Sequence, residues 1–395
     1  LRDGVTGVVH IGTEAGKNAS GSANTFIGYT AGSGGTTSAP YSTGINNTAV
    51  GYGALAAFTT AGTNVAVGYQ TGRLVTEGTN NTLVGPYAGY DLTTGTGNTL
   101  LGAEADANNQ TGNNNTIVGY QAGNGSHGNS HNSNDFFGYR AGFTITTGNA
   151  NVGIGLQALQ NITTGIRNTA LGNTAGSLIT TGNYNVLLGY EAGRYGSNKA
   201  GAVAIGTQAG LYATASYNVF VGYTAGIGGN SSEPYSSGGK NVGIGFESQK
   251  SFTVGNQNTS VGYESLRNNS TGANNTAVGY RALYGSSGNS TNSNVAIGDV
   301  ALSNISSGGY SVAIGHQALE GLTSGNYSVG VGFRAGQYNI GSNNVFVGFS
   351  AGWGVSGQST GGANTIVGRE SFAGLTTGGS NIGLGYRAGY SVTTG

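Results

Sequence analysis

The sequence predicts an all-β protein, a parallel β-solenoid (β-roll or β-helix) of about 22 coils with a 17-residue period. Three observations predict it. A short phrase returns from end to end: NNTIVGYQAG at Asn114–Gly123, NVFVGYTAG at Asn218–Gly226, NNTAVGYRAL at Asn274–Leu283 and NIGLGYRAG at Asn381–Gly389. The Gly that closes its apolar pair falls at 12, 28, 51, 68, 85, 102, 119, 138, 155, 172, 189, 206, 222, 245, 262, 279, 298, 315, 332, 348, 368 and 385. Of the 21 gaps, 13 are 17 residues and the rest are 16, 19, 20 or 23, and a fixed period near 20 marks a solenoid whose units are stable only when stacked. Third, the 395 residues include 79 Gly, a content that alone would suit a disordered chain, but periodicity excludes that. Gly does not recur every third residue, so the chain is not collagen.

The coil follows position by position, with Asn151–Arg167 (NVGIGLQALQNITTGIR) as guide. Position 1 is Asn in 18 of 22 repeats, and stacked coils would align these amides in a ladder. Positions 2 to 4 are too few for a helix and rich in β-branched residues, which favours a strand. Gly at positions 5 and 15 predicts two corners with φ > 0. Position 6 is Tyr or Phe in 13 repeats and predicts an aromatic stack, structural first and a sugar-stacking stripe second. Position 8 is Ala in 18, where a tight coil leaves little room. Coils about 4.8 Å apart would make a single continuous solenoid over 1–395, on the order of 100 Å long.

Charged residues make up 7% and the net charge is zero, which leaves no electrostatic footprint for nucleic acid or an anionic membrane. With Cys absent there are no disulfides or thiolate sites, and no apolar run approaches a membrane span of ~18 residues. Met is absent too, so Leu1 is not a translation start; the expectation is a piece of something longer, incomplete at both ends. Assembly follows from the strand pattern. If positions 2 and 4 point into the coil, position 3 points out. Phe26, Leu83, Leu100, Ile117, Phe136, Leu187, Phe220 and Phe346 would then form an apolar stripe that a lone rod rarely tolerates, and a homotrimer through position 3 would cover it.

The phrases SVAIG at Ser311–Gly315, NVAIG at Asn294–Gly298 and AVAIG at Ala202–Gly206 resemble the head repeats of trimeric autotransporter adhesins. The longer NTAVGYQAG-like form with T-T-G spacers is similar to repeats of bacteriophage tail fibres. The resemblance covers nearly the whole chain and implies a trimeric parallel β-roll. The period is longer than in the adhesin heads, and the aromatic at position 6 is not part of their phrase. No heptad stalk, anchoring barrel segment or chaperone-like C-terminal domain is found.

Irregular gaps predict surface loops at 29–46, 120–133, 223–240, 280–293 and 349–363, where binding would sit. Two carry Pro-Tyr pairs, Pro40-Tyr41 and Pro234-Tyr235, and one holds the only Trp, Trp353. Tyr41, Tyr235 and Trp353 are the ligand-binding candidates, against the plainer reading that they fold back onto the rod. His127 and His131 share a loop, but its sister loop replaces both with Ser and Thr, so no metal is expected. Glu247 and Glu264, one coil apart at position 7, have the spacing of a glycosidase carboxylate pair, but Arg281 follows one coil on and a solvated ion ladder is simpler. N-x-S/T sequons such as Asn161-Ile162-Thr163 are explained by composition, and Thr ladders are too interrupted for an ice-binding face. The expectation is a non-enzymatic structural fibre without cofactors, outside a virion (a phage tail or capsid fibre), attached to other virion or anchor proteins and to host surface glycans. A bacterial trimeric surface adhesin or extracellular filament is the alternative.

Overall fold

The computed structural model of the chain describes residues 6–39, 41–229, 232, 235–286 and 288–394. It is all-β: 22 parallel three-residue strands, one per repeat, form a β-solenoid of 22 turns, and no helix occurs among the described residues. The chain divides into two compact units, Leu1–Ala200 and Gly201–Gly395. The first runs from β1 (Val9–Ile11) to β11 (Val186–Leu188), the second from β12 (Val203–Ile205) to β22 (Ile382–Leu384).

Within a unit each strand pairs with the next in register, as Thr82↔Thr99, Leu83↔Leu100 and Val84↔Leu101. Three residues make only one inward side chain, and it is the middle one. The position 3 residues expected to face outward, Phe26, Leu83, Leu100, Ile117, Phe136, Leu187, Phe220 and Phe346, are all buried inside their own coils. They are core and form no surface stripe. The coil interior receives positions 1, 3, 8, 9, 12 and 15, and its volume is balanced within each coil. Phe26, Phe136, Phe220 and Phe346 each stand over a Gly at position 9 (Gly32, Gly142, Gly226, Gly352), where an added Cβ would lie 2.1–2.4 Å from the ring. Where position 3 is Ala or Gly, Leu often fills position 9, as in Ala49–Leu55 and Gly153–Leu159. The β-branched and aliphatic residues of positions 2 and 4 point outward instead.

The corners also differ from expectation at one place. Gly at position 5 has φ near 130°, as Gly155 at 131°, so the left-handed reading holds there. Gly at position 15, such as Gly95 or Gly165, has no positive φ except at Gly308. Its reason is contact: a Cβ on Gly95 would sit 2.3 Å from the Gly112 carbonyl oxygen of the next coil. Positive φ falls instead on positions 7, 9 and 17, as Gln157, Leu159 and Arg167 at 49–56°. Turns link positions 5 to 8, 7 to 10 and 9 to 12, shown by Ala158 N–H to Gly155 O, Gln160 N–H to Gln157 O and Ile162 N–H to Leu159 O. The first two place positions 7 and 9 third in their turns, where a type II turn requires φ > 0.

Position 1 forms the amide ladder. The Asn81 backbone N–H and Nδ2 both donate to Asn64 Oδ1, at 3.0 Å each, and Nδ2 also donates to Gly95 O of its own coil at 2.9 Å. Every polar atom of a buried amide is thereby satisfied, which turns a costly group into a register lock.

Candidate functional site

Outside the core, side chains stand in columns one coil apart. The position 6 column is half-exposed and stacks as Tyr29–Tyr52–Tyr69 at 5.3 and 5.1 Å in the first unit. The second unit has Tyr223–Phe246–Tyr263–Tyr280 at 5.5, 4.9 and 5.5 Å. Position 7 is a polar ladder. Arg140 Nε donates to Gln121 Oε1 at 2.8 Å, and Gln121 Nε2 donates to Glu104 Oε2 at 2.8 Å. Glu247 and Glu264 belong to the same ladder. Arg267 Nε and Lys250 Nζ both bond Glu247 at 2.6 Å, and Arg281 Nε bonds Glu264 at 2.6 Å. Burial pushes the Glu247 carboxyl up, but the Lys250 and Arg267 hydrogen bonds outweigh it and hold it below its ordinary value. Both carboxylates are engaged by cations, whereas a glycosidase acid needs a raised pKa.

Of the loop aromatics, Tyr41 is partly buried, and Tyr235 lies flat on Tyr212 with rings 6.0 Å and 9° apart. Pro40 and Pro234 lie outside the described residues. Trp353 is held on several sides: its Nε1 donates to Gln337 Oε1 at 2.7 Å, and Gln337 Nε2 donates to Glu320 Oε2 at 2.7 Å. Tyr338 lies against the indole at 6.1 Å, and the Arg334 guanidinium at 5.9 Å. The insertion is fixed where it rejoins the coil by buried Ser359, whose Oγ accepts from Val355 N–H at 2.6 Å and donates to Leu375 O at 2.8 Å. In three of the other four insertions Asn129, Ser236 and Asn289 likewise donate to a carbonyl of the next coil, Ile145 O, Phe252 O and Ile305 O.

Next to Trp353 lies a cavity of about 420 Å³ lined by Tyr338, Trp353, Val355, Ser356, Ala373 and Tyr390, with Gly354 and Gly374. Trp353 and Tyr390 occupy position 10 two coils apart, and Ala373–Gly374 take the place between them. The first unit has a hollow of similar volume, about 420 Å³, lined by Tyr87, Tyr90, Glu104, Ala107, Asn108 and Asn124. It too forms where position 10 shrinks to Ala beside an aromatic. The residue pattern W-x(n)-A-G-x(n)-Y at one column was present in the sequence, and only alignment of the columns exposes it as a gap.

The two loop His are brought to Asp partners and not to each other. His131 Nε2 lies 2.9 Å from Asp106 Oδ1 with both side chains fully buried, and exposed His127 bonds Asp91 through Nδ1. Among the described residues no group of three or more His, Cys, Asp or Glu is placed to hold a metal ion. No family model matches the chain, and no curated protein matches it.

Proposed function

We propose that this chain is shaft material of an extracellular fibre on a virion, a phage tail or capsid fibre, which assembles as a homotrimer, spans distance and attaches to host surface glycans. The observation that carries the reading is the outward strand face. In each unit positions 2 and 4 present a double rank of Thr, Val, Ile and Leu over successive coils, with Val65, Leu101 and Leu171 exposed by 39–48% and Ile244, Ile297 and Ile314 by 38%. Such a flat, aliphatic face suits association with further copies, so the trimer argument moves from position 3 to positions 2 and 4. The column of aromatics at position 6 favours the fibre over the bacterial adhesin alternative, whose head phrase lacks it. The reading assigns no catalytic or cofactor role and no nucleic-acid or membrane partner.

Light scattering with negative-stain microscopy tests it. A mass three times that of the 39.2 kDa chain in slender particles is expected, and Leu101→Lys with Leu171→Lys should shift that mass toward one chain. A monomer at micromolar concentration would sink the trimer.

A further inference from the structure

We propose that the slot between Trp353 and Tyr390 binds one pyranose ring of a glycan, held face-on between the two aromatic side chains. The proposal rests on the glycan-attachment part of the reading above and gives it a site. Position 10 rings two coils apart are separated by about 9.6 Å along the stack. A flat ring in contact on both faces needs walls only about 7 Å apart, whereas a puckered ring with hydrogens standing off both faces needs roughly 9 Å.

The neighbouring column shows what such a gap does when this chain fills it. At position 6 of the same coils, Phe349 and Tyr386 are also two coils apart, and the Arg369 guanidinium between them lies 5.4 Å from one ring and 5.9 Å from the other. At position 10 the intervening residue is Ala373, followed by Gly374 at position 11, both too short to reach between the rings, so the space stays open as the cavity described above.

Charge narrows the ligand. No carboxylate or ammonium is among the described residues that line the slot, and both walls have a guanidinium beside the ring, Arg334 at 5.9 Å from Trp353 and Arg387 at 5.0 Å from Tyr390. A cationic ligand is disfavoured, while the ring hydroxyls of a sugar can meet Ser356 and backbone groups of the insertion. The Gln337 and Ser359 hydrogen bonds hold the indole and the loop in place beforehand, which lowers the ordering cost of binding.

Because Trp353 is the only Trp in the chain, its fluorescence reports on this slot alone. The full chain is titrated with the methyl pyranosides of glucose, galactose, mannose and N-acetylglucosamine. A saturable change with at least one of them is expected. Tyr390→Ala should weaken it about tenfold, the value of one ring contact. Gly374→Tyr should abolish it by filling the gap. A Cβ at Gly374 meets only Tyr390 O at 3.5 Å and its φ is not positive, so that variant folds, as circular dichroism would verify. No saturable change with any pyranoside, or a change that Gly374→Tyr leaves intact, overturns the proposal. A chain that binds glycan-coated surfaces equally well with and without Gly374→Tyr keeps the attachment reading and loses this site.

Discussion

The two 19-residue coils, one in each unit, are near-copies: NGSHGNSHNSN at Asn124–Asn134 and YGSSGNSTNSN at Tyr284–Asn294. Their scaffolds agree atom for atom in several places. Asn108 Nδ2 bonds Gly125 O at 3.2 Å and Asn268 Nδ2 bonds Gly285 O at 3.0 Å, and the isolated bridges Asn109↔Asn129 and Asn269↔Asn289 match. The difference lies inside. The first coil buries His131 against Asp106, with Asn109 Nδ2 also donating to Asp106 Oδ2 at 3.0 Å. The second buries Thr291 at the place of His131, with Leu266 at the place of Asp106. Positions 9 and 15 of successive coils therefore meet in the core and change together, a polar pair for a hydroxyl and an aliphatic side chain. The scaffold accepts either solution and needs the two residues to agree.

The largest effect should come from splitting the pair. His131→Leu leaves the Asp106 carboxylate buried without its imidazole and should cost about 3–5 kcal/mol in urea unfolding, as should Leu266→Asp in the second unit. The double change Asp106→Leu with His131→Thr copies the second unit into the first and should return stability to within about 2 kcal/mol of the parent. If the double variant is no better than His131→Leu, the two positions are not coupled and the comparison fails.

Lys199 is a third buried polar side chain at position 15, and it sharpens the comparison because it has no carboxylate partner among the described residues. Its ammonium donates to Gly193 O and to Tyr195 O at 2.6 Å, in a coil where Gly196 replaces the apolar residue of position 12. Burial lowers its pKa from 10.5 to about 7. The unfolded chain then holds one more proton between pH 7 and 10.5, so stability falls as pH drops through that window and levels off below 7. Lys199→Met should remove this slope and raise stability at pH 7 by a few kcal/mol, on the order of the linkage value. Melting temperatures at pH 7 and 9.5 measure it; an unchanged slope would show that other groups dominate. The smallest effect belongs to the exposed columns. Phe246→Ala interrupts the stack between Tyr223 and Tyr263 and should cost only about 0.5–1.5 kcal/mol, with no change in the pH profile.

Much of this fold was legible in the residues. The recurrent Gly gave the period, Asn at position 1 gave the ladder, and position 6 gave the stack. The direction of the strand was not legible, because aliphatic residues occupy positions 2, 3 and 4 alike. The deciding signal was the complementarity of positions 3 and 9, Phe over Gly and Ala beside Leu, which is visible once the two are read as a pair. The conformation of Gly95 was not legible either, because glycine is required equally by a positive φ and by a neighbour's carbonyl 2.3 Å from where a Cβ would stand. The His131–Asp106 pair and the Trp353 slot join residues 25 and 37 apart in sequence, and neither follows a motif that a linear reading contains.

The ladders also set how the material yields to force. Backbone and Asn hydrogen bonds run from coil to coil, so a pull along the stack loads them lengthwise and one coil at a time. Each 17-residue coil that lets go releases up to about 56–61 Å of chain in place of a ~4.8 Å step. A tether built this way yields in nearly uniform increments, each released coil growing about twelvefold while the remaining coils keep their register.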